Sequence, residues 1–474
     1  MSIAGSSRSV QNLKAYALKK EGGTLESWAR TAAGSAAIVL FAGAAFAAEP
    51  ARTVTFTRDV APIFQSKCES CHRADGMAPM SLATYELARP WAKSIAARVG
   101  ARQMPPWHID KTVGIQTFKN DRSLNDEQIE TILAWVAAGS PKGDPKDMPP
   151  PKTWASDDSW HLSEKYGPPD LVVKSPEYKM PAVAQDAWWR PTVPTGLTEP
   201  RWVRAIDIRP VGKNARKITH HALARLVQQE DMPAELFTND PNVAGDGLFM
   251  EWAVGKNGDE MRPDSGRLML PNSKITWEMH YHAVGEEVSA HTELAVWFYP
   301  PGQEPKHREV LALFNTFSGN TPGARALDIA PNQVTTTESF VTLRGNARIE
   351  NFQAHMHLRG KGMSMEAIYP DGRREMLSQV TDFNFNWHNM YIYDDAVAPL
   401  LPKGTILHFL AWYDNTKNNK ANPDPDQWVG WGDRTVDEMG HAWINITYYN
   451  DADFKIEQQK RSDLLKTQTS SSQQ

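Results

Sequence analysis

"KITWEMHYHAV", residues 274–284, alternates apolar and polar side chains with a period of two. In an extended chain residues i and i+2 share a face, so Ile275, Trp277, Met279 and Tyr281 point one way and Thr276, Glu278, His280 and His282 the other. Such a run reads as a half-buried strand. Comparable runs recur downstream of residue 170: "RWVRAIDIRP" (201–210), "HHALARLVQ" (220–228), "ELAVWFYP" (293–300), "MSMEAIYPDG" (363–372), "TILHFLAWYDN" (405–415) and "HAWINITYY" (441–449). Turn residues such as Pro-Asp-Gly and Asp-Asn separate them, and long helical periodicity is missing, which is the pattern of antiparallel β-sandwiches. Residues 170–455 exceed what one sandwich needs, so two are expected, 170–320 and 321–455, meeting near "FNTFSGNTPGARALDIAPNQ" (314–333). The polar stretch 456–474 is expected to be a disordered tail.

Upstream the texture differs. Residues 51–145 read as a small, mostly helical domain, with "SLNDEQIETILAWVAAG" (123–139) its clearest helix. Ser123 is the expected cap with Asp126 three residues on, Leu124, Ile129, Ile132, Leu133 and Val136 form the apolar face, and Gly139 stops the helix. The domain contains the chain's only two cysteines, in "KCESCHRADG" (67–76). C-x-x-C-H reads as covalent attachment of a c-type haem through Cys68 and Cys71, with His72 as the proximal iron ligand; the alternative is a redox or disulfide pair. An immediate histidine, an export signal and the absence of other cysteines favour haem. For the sixth ligand Met104 is favoured over Met77 and Met80, because Pro105 and Pro106 force an extended backbone that can present its sulfur. His108 is the next candidate. "SPKGDPKDMPPPKTWASDDSW" (140–160) lacks periodicity, and residues 146–169 are expected to be a semi-rigid linker.

The chain opens with basic positions ahead of "AAGSAAIVLFAGAAFAA" (32–48), including the small-residue pattern Ala45-Phe46-Ala47. This has the form of a secretory signal peptide over residues 1–47, which places the protein in the periplasm, either free or held by a retained N-terminal anchor. No membrane span is expected after cleavage. Over 474 residues the 41% hydrophobic and 23% charged fractions are ordinary for a globular protein. With a net charge of -5 and no Lys/Arg-rich run, nothing suggests nucleic acid, and no nucleic-acid partner is expected.

The β region gathers histidines in pairs: His220-His221, His280 with His282, and His355 with His357 in "QAHMHLRGKG" (353–362). Adjacent strand residues point to opposite faces, so His220 and His221 can share an ion only if the strand ends or bulges there, or the rings use different nitrogens. One member of His280/His282 could complete three imidazoles, which suit Cu, Zn or Fe. His355 and His357 share a face, and Met439 in "RTVDEMGHAW" (434–443) is their candidate third ligand; two imidazoles with a thioether select copper.

The ordered set HH, MHxH, HxH followed by L-x-G-K, and D-E-M before an aromatic-rich strand resembles the copper type II, ascorbate-dependent monooxygenases, the family of peptidylglycine alpha-hydroxylating and dopamine beta-monooxygenase. The resemblance spans about residues 195–450. It implies two jelly-roll β subdomains facing across a solvent cleft, an electron-transfer copper on His220, His221 and His280, and an oxygen- and substrate-binding copper on His355, His357 and Met439. It also implies O2 and a small molecule as substrates, with the attached haem c relaying electrons from a periplasmic donor. Departures narrow this. The β region has no cysteine where the animal enzymes have disulfides, and Gln353 and Trp443 stand where the peptidylglycine enzyme has substrate-binding Arg and Tyr. A less acidic, aromatic or apolar substrate is therefore expected. Glu278 replaces a Gln two positions before His280.

Overall fold

The computed structural model describes residues 52–74, 76, 78–154, 159–228, 247–253, 256, 258–317 and 327–471. The expected signal peptide (1–47) and the centre of the expected β junction (318–326) lie outside the described residues. The described protein is mostly β-sheet with few helices. No described helix is long and apolar enough to cross a membrane.

Three large sheets enclose two cores. A twelve-stranded sheet runs through the β region, a five-stranded sheet covers one part of it and a four-stranded sheet another. The first core lies between strands Arg201–Val211 and Val288–Phe298 of the long sheet and Thr219–Val227, Leu248–Ala253 and Lys274–Tyr281 of the five-stranded one. Ile206, Ile208, Leu294 and Val296 there meet Trp277, Met279 and Tyr281, the apolar face read from residues 274–284. The second core lies between strands His307–Asn315, Asn351–Met356 and Gly440–Tyr449 of the long sheet and Gly360–Ile368, Arg374–Val380 and Ile406–Asp414 of the four-stranded sheet. Phe314, Met356, Ile444 and Ile446 there meet Met363, Met365, Leu407 and Phe409.

The expected boundary at residue 320 is corrected. His307–Asn315 pairs with Gly440–Tyr449 from Glu309↔Thr447 to Asn315↔His441, so it belongs to the second unit. Its first residues also pair in parallel with Ser265 and Gly266, which joins the two units through one continuous sheet. A buried ionic network sits at this join: Arg267 reaches Glu309 (3.0 Å) and Asp259 (3.4 Å), and Lys256 reaches Glu251 (2.9 Å) and Asp259 (3.2 Å). Each cation has two carboxylate partners, and with three carboxylates facing two cations burial raises Glu309 to about 7 and pushes Glu251 up, so the surplus charge is relieved by protonation.

The N-terminal region is helical as expected. Ala61–Lys67, Ala92–Gly100 and Asp126–Ala137 enclose a core of Phe56, Phe64, Ile95, Val99, Ile132 and Trp135. The cap of the last helix is Asn125 rather than Ser123: Asn125 accepts from the Gln128 amide, and Gln128 closes the reciprocal bond. Ser123 instead accepts from Lys111.

Three expected boundaries move. Residues 105–121, expected within the helical domain, leave it: Trp107, Ile109 and Phe118 lie in the second β core. Ile109 and Phe118 form bridges to Val380 and Tyr393, and the Trp107 ring meets Tyr391 at 4.7 Å. An apolar stretch between helices suggests local packing, whereas its partners are about 270 residues away in sequence. The linker 146–169 is docked along much of its length. Trp154 donates to Glu69, while Trp160, Leu162 and Tyr166 cover Ala205, Ala295 and Trp297. Residues 456–471, expected to be disordered, belong to a helix, Asp451–Ser471. Buried Phe454, the Glu457–Arg262 ion pair (3.3 Å) and an Arg461 bond to the Ala398 carbonyl anchor it, contacts that polar composition conceals.

Trp107→Ala should therefore destabilise the β region by about 3–5 kcal/mol, the usual cost of truncating a buried aromatic. Chemical denaturation followed by tryptophan fluorescence checks this; a loss below about 1 kcal/mol would show that the segment is not part of that core.

Candidate metal centres

His220, His221 and His280 meet on the five-stranded sheet. Strands Thr219–Val227 and Lys274–Tyr281 are antiparallel with His280 opposite His221, but Tyr281 then pairs with Thr219, leaving His220 as the extra residue of a bulge. That bulge brings two adjacent histidines to one place. Ligand atoms of the three rings lie within 4.8 Å of one another, and among the described residues no other three His, Cys, Asp or Glu side chains do so. The Nδ1 atoms of His220 and His221 are 3.1 Å apart. Asp186 bonds His280 Nε2 at 2.9 Å, leaving Nδ1 for an ion, and Trp188 stacks on the ring at 4.4 Å. A carboxylate behind an imidazole fixes its orientation and raises its basicity, as at many metal sites.

The second set lies where Asn351–Met356 pairs with Gly440–Tyr449, with His355 opposite His441 and Gln353 opposite Trp443. Alternation places His355, His357, Met439, His441 and Trp443 on one face. Glu438, fully buried, accepts the backbone N–H groups of His357 (2.9 Å), Arg359 (2.6 Å) and Met439 (3.2 Å), clamping the end of strand Asn351–Met356, just before His357, to the start of Gly440–Tyr449, just after Met439. His357 Nδ1 donates to the Asp437 carbonyl at 3.2 Å, freeing Nε2. Met439 is buried, and its carbonyl accepts from Tyr413.

Among the described residues the two sets are in contact rather than separated by the expected solvent cleft. The His221 and His355 rings are 5.9 Å apart, and His388 lies beside both sets, 4.6 Å from His355 and 5.6 Å from His220. Two ties close the boundary. Arg190 bridges Glu278 (2.9 Å) and Asp433 (2.8 Å), and Asp186 accepts from Thr435 (2.9 Å) as well as serving His280. Glu278 is thus an ion-pair partner at the boundary. Gln353 and Trp443 are buried, Trp443 stacking on His355 at 4.6 Å and joining Leu223, Leu248 and Leu311.

Burial, and then the neighbouring imidazoles, hold His220 down at about 2 and His388 at about 3, and push His221 and His355 well below the usual histidine range. His357 is lowered to about 4, chiefly by burial. All of these rings are neutral at pH 7 and present lone pairs, the state in which imidazole binds metal. From sequence His388 reads as an ordinary histidine. Its neighbours "FNFNWHNMY" form an irregular loop with no periodicity, so no pattern marks it. His291 and His408 face Glu293 and Glu338/Glu366, and His307 packs on Tyr449, as ordinary residues do.

At the C-x-x-C-H motif Cys68 and Cys71 are free thiols, and burial pushes Cys68 up to about 12. His72 N–H donates to the Cys68 carbonyl (2.9 Å), and the ring Nδ1 donates to the Met80 carbonyl (3.1 Å), leaving Nε2 for an axial bond. A cysteine pair not joined in a disulfide, followed by an imidazole with Nε2 free, fits a covalently attached haem. Met104 is half-buried just past helix Ala92–Gly100, and Met77 lies outside the described residues. His108 is buried against the second β unit, its N–H donating to the Tyr391 hydroxyl.

No family model and no curated protein matches the chain. Among solved structures it has weak similarity to the major capsid protein P2 of bacteriophage PM2 (12% identity, TM-score 0.25, covering 59% of this chain and 99% of that one). It is also weakly similar to PNGF-II (12%, TM-score 0.23, 59% and 60%) and to infectious bursal disease virus Gx strain (11%, TM-score 0.17, 60% and 75%).

Asp186→Asn keeps the shape of the carboxylate and removes its charge. Metal affinity at His220, His221 and His280 should fall about 10–100-fold, measured by competition with a chromophoric chelator. An unchanged affinity would mean that Asp186 ties the two units without tuning the centre.

Proposed function

We propose that the protein is a copper-dependent monooxygenase that hydroxylates a C–H bond of a small, non-acidic substrate, with electrons delivered through a haem c on the same chain. One observation carries the reading: four sequence motifs scattered from residue 220 to residue 439 converge on one locus of buried, neutral imidazoles with a buried methionine beside them. The donor set contains nitrogen and thioether but no thiolate, which suits copper in both oxidation states. His220, His221 and His280 would hold one ion and His355, His357 and Met439 the other, in paired jelly-roll units. Bound there, copper would supply the one-electron steps that let O2 react with a C–H bond.

The chain's own residues orient and seclude. Asp186 and the Asp437 carbonyl fix the ring nitrogens they bond, so the opposite nitrogens of His280 and His357 would be free to hold an ion. Glu438 sets the spacing of His357 and Met439. Trp188 and Trp443 stack on His280 and His355 and keep water off them. Gln353 and Trp443 offer no charge for a carboxylate. Cys68, Cys71 and His72, with Met104, would carry the haem, and tethering on one chain raises its effective concentration at the copper unit. The expected location is the periplasm, with a periplasmic electron donor.

A second reading, a non-catalytic copper-binding or electron-transfer protein, is favoured by the contact between the two histidine sets, which leaves no cleft between them. Metal and haem analysis of the periplasmic protein, with O2 uptake against a substrate library, separates the two. The enzyme reading expects two coppers, one haem and substrate-dependent uptake. Met439→His should retain copper and abolish turnover; full activity in that variant removes the role given to Met439. Zinc in place of copper, or no uptake with any substrate, moves the assignment to the second reading.

A further inference from the structure

We propose that Phe385 gates the histidine locus: its ring covers the approach from solvent, and a flat, apolar molecule enters by displacing it. The proposal rests on the copper reading and deepens it, assigning the entry point and the kind of molecule that passes.

The approach is found by elimination. Of the candidate copper ligands, His221, His280, His355, His357 and Met439 are buried, and His220 alone is half-exposed. Stacked indoles close other sides, Trp188 on His280 at 4.4 Å and Trp443 on His355 at 4.6 Å. Among the described residues, then, the ligands meet solvent at His220. Phe385 lies on that ring, 4.5 Å away with 18° between the planes. The same benzyl ring stands 5.7 Å from His357 and 5.7 Å from His388, at steep angles of 84° and 69°. One half-buried side chain thus meets the first set, the second set and the histidine beside them.

Packing alone explains this placement less well. A phenylalanine that only fills a core lies buried among apolar side chains, as Phe383 does two residues earlier. Phe385 instead lies against imidazoles of both sets and keeps part of its surface in water, while Asn384 and Asn386 on either side are exposed.

The loop is also built to let the ring move. Its ends are pinned, the Phe383 N–H donating to the Lys361 carbonyl (2.9 Å) and the His388 carbonyl accepting from Gln353 Nε2 (3.3 Å). Between the pins the N–H groups of Asn386 and Trp387 both go to Asn384, one to Oδ1 (3.0 Å) and one to the carbonyl (2.9 Å). That turn closes on itself, so the Phe385 ring can leave His220 without breaking either pin. Closed, the ring keeps water from the ligands; lifted, it uncovers an imidazole face on which another planar, apolar group can stack.

The test uses the full-length, haem-loaded protein and copper as the probe. Phe385→Ala should speed copper loading and copper extraction by a bulky chromophoric chelator alike, each by about 10-fold or more, so that the affinity stays within about 3-fold. Phe385→Trp, which keeps a flat apolar cover, should load and release copper no faster than the wild type. Phe340→Ala removes a similar stack, 4.3 Å from His408 and outside the locus, and should leave both rates unchanged. Indole added to Phe385→Ala should restore slow extraction, and acetate should not. Wild-type rates in Phe385→Ala, a faster release matched by an equal loss of affinity, or the same acceleration in Phe340→Ala would overturn the gate and leave the copper reading intact. Failure of indole to rescue, or equal rescue by acetate, would overturn the choice of a flat, apolar entrant. A wild-type protein that binds no copper would overturn both the proposal and the reading beneath it.

Discussion

The arrangement of the histidines depends on one strand. His307–Asn315 pairs along its length with Gly440–Tyr449 and at its start with the Ser265–Met269 strand, so the two β units share a sheet rather than meeting through a flexible joint. Both halves of the metal locus hang from that sheet. Asn351–Met356, which carries His355, is a neighbour of Gly440–Tyr449, and the strands carrying His220, His221 and His280 cover the same sheet from the other side of the first core. With the shared sheet fixing the units, the side-chain ties of Arg190 and Asp186 need only hold a boundary that the backbone has already drawn. An exposed pair such as Arg190–Asp433 contributes at most about 1 kcal/mol. Hydrogen bonds across strands and buried apolar area supply the rest.

Much of the fold is legible in the sequence because it depends on local periodicity. The alternation in residues 274–284 marks a strand, which runs over Lys274–Tyr281, and the apolar stripe within 123–139 marks a helix, which runs over Asp126–Ala137. Apart from the helix cap, whose partner Gln128 is three residues from Asn125, the errors share a cause: they concern partners distant in sequence. Trp107 and Phe118 look like helical-domain residues until Tyr391 and Tyr393 are seen beside them, and the terminal helix looks unstructured because its anchor, Arg262, is 195 residues from Glu457. The strand His307–Asn315 falls to the wrong unit for the same reason: periodicity identifies a strand without naming its neighbour.

The site is legible to a different degree at each residue. Motif draws His220, His221 and His280 together, but whether adjacent histidines can converge turns on a bulge that no local pattern announces. His355 and His357 share a face by alternation alone. Met439 stands on that face because two strands 82 residues apart pair in register, which Glu438 reinforces through three backbone bonds. His388 is invisible in the sequence. It lies on a loop, and only the approach of its ring to His355 distinguishes it from the surface histidines.

That loop also connects the parts of the chain to which redox chemistry is assigned. It is bonded on one side to Pro106 and Asn120, within the segment that leaves the helical unit directly after Met104, and on the other it meets His355 and His220. From the Pro106 carbonyl the route to His355 consists of one hydrogen bond to Asn389, one peptide link to His388 and one 2.9 Å contact. Short covalent and hydrogen-bonded links favour electron transfer over jumps through space, and they also make the loop stiff. Packing residues 105–121 into the second β core, away from the helices around Cys68 and Cys71, therefore fixes the distance between the motif assigned to haem and the histidines assigned to copper. A free linker could raise local concentration, but it would leave that distance to fluctuate. The departure of residues 105–121 from the helical domain thus ties the chain that follows the C-x-x-C-H helices to the β core that carries His355.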